Sequence, residues 1–355
     1  MKRVEINPRN IDMATVKECV LVLKSGGIVA LPTETVYGLG VIYDNKKAVE
    51  RLYKIKNRPW DKPFTLCLES RDKAVDYFSL MPPFAYRIIE KFWPGPLTVV
   101  FYSKDSSEKI GIRVPSHNVL NLILRELNTP IYLSSANRSG ERESVSAKEI
   151  EEIFGEEVDL IVDAGQVTFF QPSTVVDITS HPFRILREGV ITNIELMNVL
   201  FKKRIVFLCT GNTCRSPMAE YILKNSIYRK APYLCDRYEI ISRGIIPLEG
   251  EPANYETLRV LGEKEDIDAS SHRSKKIDRY TILSSDLIFV MEEMHKDYIV
   301  KLEPTAESRV FPLRKFMSQG REVDIFDPIG KPYEIYERVY YLLKDAIDEL
   351  LEWLC

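Results

Sequence analysis

The sequence predicts an α/β protein, because short apolar runs alternate with amphipathic stretches and because 355 residues, 45% apolar and 28% charged, can close a sizeable core. The length exceeds that of one ordinary domain, so two are expected. In chain order, Asp12 to Lys24 predicts a helix and Gly27-Ile28-Val29-Ala30-Leu31 a buried strand. A helix over Ala48 to Lys54 follows, then strands at Leu97-Thr98-Val99-Val100-Phe101 and Leu160-Ile161-Val162-Asp163. Ile191 to Leu200 predicts a closing helix, and Arg204-Ile205-Val206-Phe207-Leu208 opens a new strand after Lys202 and Lys203. The boundary is therefore expected near residue 201, giving domains 1–200 and 201–355. No Gly/Ser- or Pro-rich tether separates them, and there is no internal repeat.

Lys and Arg total 49 against 52 Asp and Glu, and the net charge of −3 excludes a grossly basic nucleic-acid binder and an acidic disordered chain. Any RNA contact is confined to a local patch. No apolar run approaches the roughly 18 residues needed to span a bilayer, and the N-terminus MKRVEINPRN has no signal-peptide core, so a cytoplasmic protein without a membrane partner is expected. The six cysteines are too sparse for a disulfide scaffold, and Cys209 and Cys214 are not spaced as zinc ligands. No structural metal is expected.

The densest motif opens the second half. Val206-Phe207-Leu208-Cys209-Thr210-Gly211-Asn212-Thr213-Cys214-Arg215-Ser216-Pro217 reads as a strand running into a Cys-x5-Arg loop. Ser216-Pro217 predicts a helix start, with Ser216 as the cap and Pro217 at the first helical position. Amides of such a loop converge on a tetrahedral oxyanion, and the helix N-terminus adds partial positive charge. Cys209 is the candidate nucleophile, since amides, dipole and Arg215 all favour thiolate over thiol. Arg215 offers a planar fork to two phosphoryl oxygens, Gly211 lets backbone approach the anion, and Asn212 is expected to brace the loop. Thr213, Cys214 and Ser216 complete the cradle. On residue types alone, a strand-end cysteine with an incidental arginine is the competing explanation.

Cys209-Thr-Gly-Asn-Thr-Cys-Arg-Ser-Pro-Met-Ala-Glu220, with Ser242-Arg243-Gly244, Ser271-His272-Arg273-Ser274, the Asp286 to Met291 strand and Asp327-Pro328, resembles the low-molecular-weight protein tyrosine phosphatases. The resemblance implies a small parallel sheet with the loop at a strand C-terminal end, no cofactor, and Asp327 as the general acid that protonates the leaving group and then helps activate water. An Asp-Pro dipeptide also favours an ordinary turn. Thr213 stands where phosphotyrosine-directed members carry a bulky aliphatic residue, and resembles the protein-arginine phosphatases instead. Ile329 replaces the usual aromatic after Asp327-Pro328. Both departures favour phosphoarginine over phosphotyrosine. The related arsenate reductases need two further cysteines, which are missing between Cys235 and Cys355. A phosphate-sensing domain is the reading from another class.

The first half is less legible from residue types. Leu31-Pro32-Thr33-Glu34-Thr35-Val36-Tyr37-Gly38-Leu39-Gly40 supplies hydroxyls beside flexible backbone after a buried strand. Lys54, Lys56, Arg58 and Lys62 place four cations in nine residues, and they converge on one anion only if the helix ends there, which Pro59 favours. Such a cluster suits a triphosphate, and it equally describes a solvated helix end.

Pro32-Thr-Glu-Thr-Val-Tyr-Gly-Leu39, Lys54-x-Lys-x-Arg-Pro59, Lys62-Pro63, Trp93-Pro-Gly-Pro-Leu-Thr98, Arg113-Val-Pro115, Ser135-Ala-Asn-Arg-Ser-Gly140, Ser173-Thr-Val-Val-Asp177 and Leu186-Arg-Glu-Gly189 together resemble the YrdC-type threonylcarbamoyl-AMP synthases. That resemblance implies a twisted mixed α/β sheet with a concave site. It also implies condensation of L-threonine, bicarbonate and ATP to threonylcarbamoyl-AMP and diphosphate, for the t6A37 modification of tRNA. Carried over by motif, Thr35, Arg113, Ser135 and Ser173 are candidates for threonine. Lys56, Arg58, Lys62, Asn137, Ser146 and Arg187 are candidates for ATP. Mg2+ is expected with the ATP, t6A-pathway transferases as partners, and tRNA contact at most transiently. Cys67 replaces a frequent His, and Glu141-Arg-Glu-Ser-Val-Ser146 departs from the usual Ser-Pro-Thr. A ribosome-associated or RNA-binding module without synthesis is the competing reading for this half.

Overall fold

In the computed structural model, which describes residues 1–180, 183–316 and 324–355, fourteen strands form two sheets. Residues 1–81 with 88–197 make one packed unit, and 82–87 with 198–355 the other. The first sheet contains β1 (Lys2–Glu5), β2 (Val29–Leu31), β3 (Gly38–Ile42), β4 (Thr65–Cys67), β5 (Leu97–Tyr102), β6 (Lys109–Arg113), β7 (Ile131–Ser135), β8 (Leu160–Asp163), β9 (Thr174–Asp177) and β10 (Arg184–Arg187). Their order is β1-β8-β2-β3-β7-β4-β6-β5-β9-β10. Parallel pairs such as β4 with β6 mix with antiparallel pairs such as β3 with β7, as a mixed sheet requires.

Local sequence explains the helix limits. Met13–Lys24 starts where the Asp12 carboxylate accepts from the amides of Ala14 and Thr15. Lys46–Lys56 is capped by Asn45 and stops at Asn57, which takes a left-handed conformation with φ 48°. The stop thus comes two residues before Pro59. Leu52, Tyr53 and Ile55 on that helix are buried against Leu39, Val41 and Phe64, each large apolar side chain contributing about 1.5–3 kcal/mol.

The second sheet is wholly parallel, in the order β12-β11-β13-β14, from β11 (Lys203–Cys209), β12 (Tyr238–Gly244), β13 (Leu287–Val290) and β14 (Val310–Pro312). Central β11 is buried on both faces, which is why its sequence reads as an unbroken apolar run rather than an alternation. Ile205, Phe207 and Cys209 join the core built with the helices Arg215–Lys230 and Tyr333–Leu354, while Val206 and Leu208 join the core on the opposite face. The chain leaves β11 for β12 on one side and reaches β13 on the other. The C-terminal end of β11 is therefore a topological switch point, where open parallel sheets hold ligands.

Candidate active sites

In the first unit, strand alternation turns one face of the sheet into the floor of a cavity of about 880 Å3. Period-two residues of adjacent strands line it: Thr65 and Cys67 of β4, Lys109, Gly111 and Arg113 of β6, Leu133 and Ser135 of β7, Thr98 and Val100 of β5, Val175 and Asp177 of β9. Thr33 and Thr35 line it from the β2–β3 loop, Arg58 and Lys62 from beyond the helix Lys46–Lys56, Ser173 from just before β9 and Arg187 from β10. Of the ten candidates carried by motif, Thr35, Arg58, Lys62, Arg113, Ser135, Ser173 and Arg187 line this one cleft.

The polar groups are fixed by one another. Arg113 donates through Nη2 to Glu34 Oε1 at 2.7 Å and Thr35 Oγ1 at 2.9 Å, and through Nε to Gly95 O at 3.2 Å. Arg187 grips Ser173 through its carbonyl at 2.8 Å and its hydroxyl at 3.1 Å, and Thr98 shares a hydrogen bond with the same hydroxyl at 3.0 Å. Arg58 reaches back to the carbonyls of Lys62 at 2.8 Å and Pro63 at 3.0 Å, which folds the cationic segment toward the cleft. Burial pushes the Cys67 thiol up to about 12, so it enters the floor as a neutral apolar group.

Three candidates sit differently. Lys56 is buried, and its Nζ donates to the carbonyls of Ser135 at 2.5 Å and Asn137 at 2.6 Å; it pins the end of β7 rather than lining the cavity. Asn137 accepts from Ser135 Oγ at 2.6 Å and donates to Arg138 O and Glu141 O, so it shapes the loop behind Ser135. Ser146 caps the helix Ala147–Phe154 by accepting from the Glu149 amide. Burial, then the neighbouring Arg58 cation, pulls the Lys56 ammonium down from 10.5 to about 7. The unfolded chain then binds more protons than the folded one between those values, so this group makes the fold more stable as pH rises through that window. Wild type is expected to gain about 2 kcal/mol on Lys56→Met between pH 7 and pH 9, read from paired urea unfolding curves; equal responses of the two proteins would contradict it.

In the second unit, Cys209 ends β11 and the loop to Arg215 wraps its sulfur. Asn212 adopts φ 54° and aims its amide at Cys209 Sγ at 3.2 Å. Its side chain donates to Ser216 Oγ at 3.0 Å and Ser242 Oγ at 2.9 Å and accepts from the Lys275 amide at 2.8 Å, while His272 Nε2 meets its carbonyl at 2.8 Å. These bonds tie Asn212 to Ser216, Ser242 and Lys275 around the sulfur. A Cβ on Gly244 would lie 2.8 Å from Thr210 O and 3.1 Å from the Asn212 amide nitrogen, so only glycine lets β12 pass beneath the loop. Gly211, by contrast, leaves ordinary space. The amides of Gly211, Thr213 and Cys214 donate to no protein acceptor among the described residues. They remain available to an anion.

The helix start differs from expectation. Arg215–Lys230 begins at Arg215 with Cys214 at the N-cap, so Ser216 and Pro217 lie inside its first turn. Ser216 is not the cap, because its hydroxyl is drawn inward to Cys209 Sγ at 3.0 Å. Ser216 Oγ accepts from Asn212, and its one proton has two acceptors in reach, the sulfur at 3.0 Å and Arg243 O at 3.3 Å, of which a thiolate is the stronger. Cys214 lies with its thiol 3.7 Å from both Thr213 Oγ1 and Tyr336 OH, and burial pushes that thiol up.

Arg215 is 1% exposed and donates to Glu292, to Ile325 O at 2.8 Å, and through Nη2 to Asp327 Oδ2 at 2.6 Å. Asp327 Oδ1 accepts from the Ile329 amide at 3.1 Å. Sequence reasoning named Arg215 and Asp327 but missed Glu292 and His295, whose Nε2 lies 3.0 Å from Thr210 Oγ1. Glu292 is the N-cap of the helix Glu293–Leu302 after β13 and His295 lies in its first turn, and no local pattern in Glu292 to His295 announces a contact 77 or 85 positions away. Glu34, Thr98, Lys109 and Asp177 were likewise missed as individuals, although period-two counting back from Arg113 reaches Gly111 and Lys109.

Asp177 is held by Lys109 at 2.8 Å and Glu34 by Arg113, and no group of three or more His, Cys, Asp or Glu able to hold a metal ion occurs among the described residues. Among the described residues, then, the expected Mg2+ finds no cage of protein carboxylates. No helix among the described residues is long and apolar enough to cross a membrane.

Residues 21–189 match the Sua5–YciO–YrdC family, described as "Telomere recombination", and residues 204–355 match the low molecular weight phosphotyrosine protein phosphatases. A Methanocaldococcus jannaschii protein named "Putative threonylcarbamoyl-AMP synthase" is 34% identical over 174 residues, 47% of this chain and 82% of that one. The threonylcarbamoyl-AMP synthase of Pyrococcus abyssi is 31% identical over 210 residues, 56% of this chain, and the match spans 62% of the length of that relative. The crystal structure of Escherichia coli YciO superposes with a TM-score of 0.51 at 27% identity, covering 54% of this chain and 98% of that one. The chain therefore belongs to the Sua5–YciO–YrdC family through its first portion and to the low-molecular-weight phosphotyrosine protein phosphatase family through its second.

Proposed function

We propose that residues 1–200 condense L-threonine, bicarbonate and ATP to threonylcarbamoyl-AMP and diphosphate for t6A37 modification of tRNA, and that residues 201–355 hydrolyse protein phosphoryl groups through a cysteinyl-phosphate. The observation that carries the first activity is the convergence of Thr35, Arg58, Lys62, Arg113, Ser173 and Arg187 on one cleft, in a chain similar to named threonylcarbamoyl-AMP synthases. Arg113 would take the threonine carboxylate, which suits its planar fork, with Thr35, Ser135 and Ser173 as hydroxyl partners. Arg58, Lys62 and Arg187 would meet the triphosphate and stabilise charge as diphosphate leaves. Lys56, Asn137 and Ser146 would support the nucleotide side by holding the loop and helix behind Ser135. Diphosphate release that requires threonine, bicarbonate and ATP together is the expected result in the purified chain. Its absence would favour a binding module.

For the second activity, Cys209 Sγ would attack phosphorus, the ester or guanidinium leaving group would depart with a proton from Asp327, and water would then cleave the thiophosphate bond. A phosphoryl group seated on the free amides of Gly211, Thr213 and Cys214 would compete with Asp327 for Arg215, releasing that carboxyl toward the leaving group. Thr213 bears a hydroxyl at the mouth, and Ile329 is 58% exposed with no ring to stack on phosphotyrosine. Phosphoarginine is therefore the favoured substrate. Phosphoarginine-containing protein is expected to give a higher kcat/KM than phosphotyrosine peptide, with Thr213→Ile moving the ratio at least about tenfold toward phosphotyrosine. Wild type that cleaves phosphotyrosine as fast or faster contradicts the preference.

A further inference from the structure

The synthase reading leaves Glu34, in the wall behind the cleft, without a task. Glu34 stands between Thr33 and Thr35, both cavity-lining, and is itself 5% exposed. Its Oε1 accepts from Arg113 Nη2 at 2.7 Å, and the two side chains are 6% and 8% exposed. Its Oε2 is buried and has no hydrogen-bond partner among the described residues. A carboxylate oxygen taken out of water without a donor is costly, so a ligand that brings a donor to it gains affinity. Arg113 commits Nε to Gly95 O and Nη2 to Glu34 and Thr35, which leaves Nη1 uncommitted.

Together Arg113 and Glu34 form a neutral pair in a wall of low dielectric. A simple carboxylate arriving beside them would add an uncompensated negative charge. A zwitterion would not, since its carboxylate can face the guanidinium while its ammonium faces the orphaned oxygen. We propose that Glu34 binds the α-ammonium of the amino-acid substrate through Oε2, so that Arg113 and Glu34 together select a zwitterion over an α-hydroxy acid; this rests on the synthase reading of the cleft.

The test is equilibrium binding to the full chain of L-threonine and of (2S,3R)-2,3-dihydroxybutanoate, which replaces the ammonium by a hydroxyl. Wild type is expected to prefer threonine by at least tenfold, because a charge-assisted hydrogen bond to a buried carboxylate is lost in the analogue. Glu34→Gln keeps a carbonyl for Arg113 and removes the charge, and is expected to bring the two ligands within about threefold by weakening threonine alone. A Glu34→Gln protein that binds both ligands more weakly by one factor, keeping the wild-type ratio, would make Glu34 a mere prop for Arg113 and overturn the proposal. Wild type with no preference overturns it too. If wild type binds neither ligand and releases no diphosphate, the synthase reading itself fails and carries this inference with it; the diphosphate assay tells that failure from the other two.

Discussion

Cys209→Ser is expected to lower turnover of p-nitrophenyl phosphate by at least about 10^3-fold while leaving the fold intact. The argument is chemical and geometric together. The sulfur sits at the end of β11, receives the Asn212 amide at 3.2 Å and lies 3.0 Å from the Ser216 hydroxyl, so a charge on it is met by two donors. Serine preserves nearly the same volume in a position that is 2% exposed, so packing should change little. Its hydroxyl, however, has no general base among its hydrogen-bond partners, and an un-ionised alcohol is a poor nucleophile toward phosphorus. Residual turnover within tenfold of wild type would mean that chemistry takes place elsewhere. Threonine-dependent diphosphate release should be unchanged in the same preparation, which doubles as evidence that the chain is folded.

Arg113→Ala should raise KM for threonine by about 10^2-fold or more, with a much smaller effect on KM for ATP. Two costs add. The substrate carboxylate loses its charge-assisted donor, and Glu34 loses the ion pair that neutralises it at 2.7 Å inside the wall. Because the second cost also touches stability, Arg113→Lys is the companion variant. It keeps the positive charge but loses the fork that serves Gly95, Glu34 and Thr35 at once, and it should recover only part of the affinity. Equal losses for threonine and ATP would point to general damage to the cleft.

What could be read from the sequence divides by range of interaction. Strands such as β5 and β8 and the Asp12-started helix follow from local apolar pattern and capping, and each forms within a residue or two of expectation. The loop from Cys209 to Arg215 was legible because the residues that make an anion cradle are contiguous in the chain. Ser216 was misassigned because a Ser-Pro pair is a good helix start locally, whereas the nearby sulfur outcompetes the cap for its hydroxyl. Lys56 looked like part of a cationic cluster, yet the helix carries Lys54 outward and Lys56 inward, where two carbonyls claim it. Glu34 and Glu292 were invisible for a related reason. Their partners Arg113 and Arg215 lie 79 and 77 positions away, and only the assembled sheets bring them together.

The most direct measurement of the central claim is a rapid acid quench of Asp327→Ala during turnover of p-nitrophenyl phosphate, followed by peptide mass spectrometry. This leaving group needs little help from an acid, so the first step should proceed while hydrolysis of the intermediate lags. Phosphate on Cys209 in near-stoichiometric amount is the predicted result. Phosphate on any other residue, or none while p-nitrophenol is still released in a burst, would contradict the account.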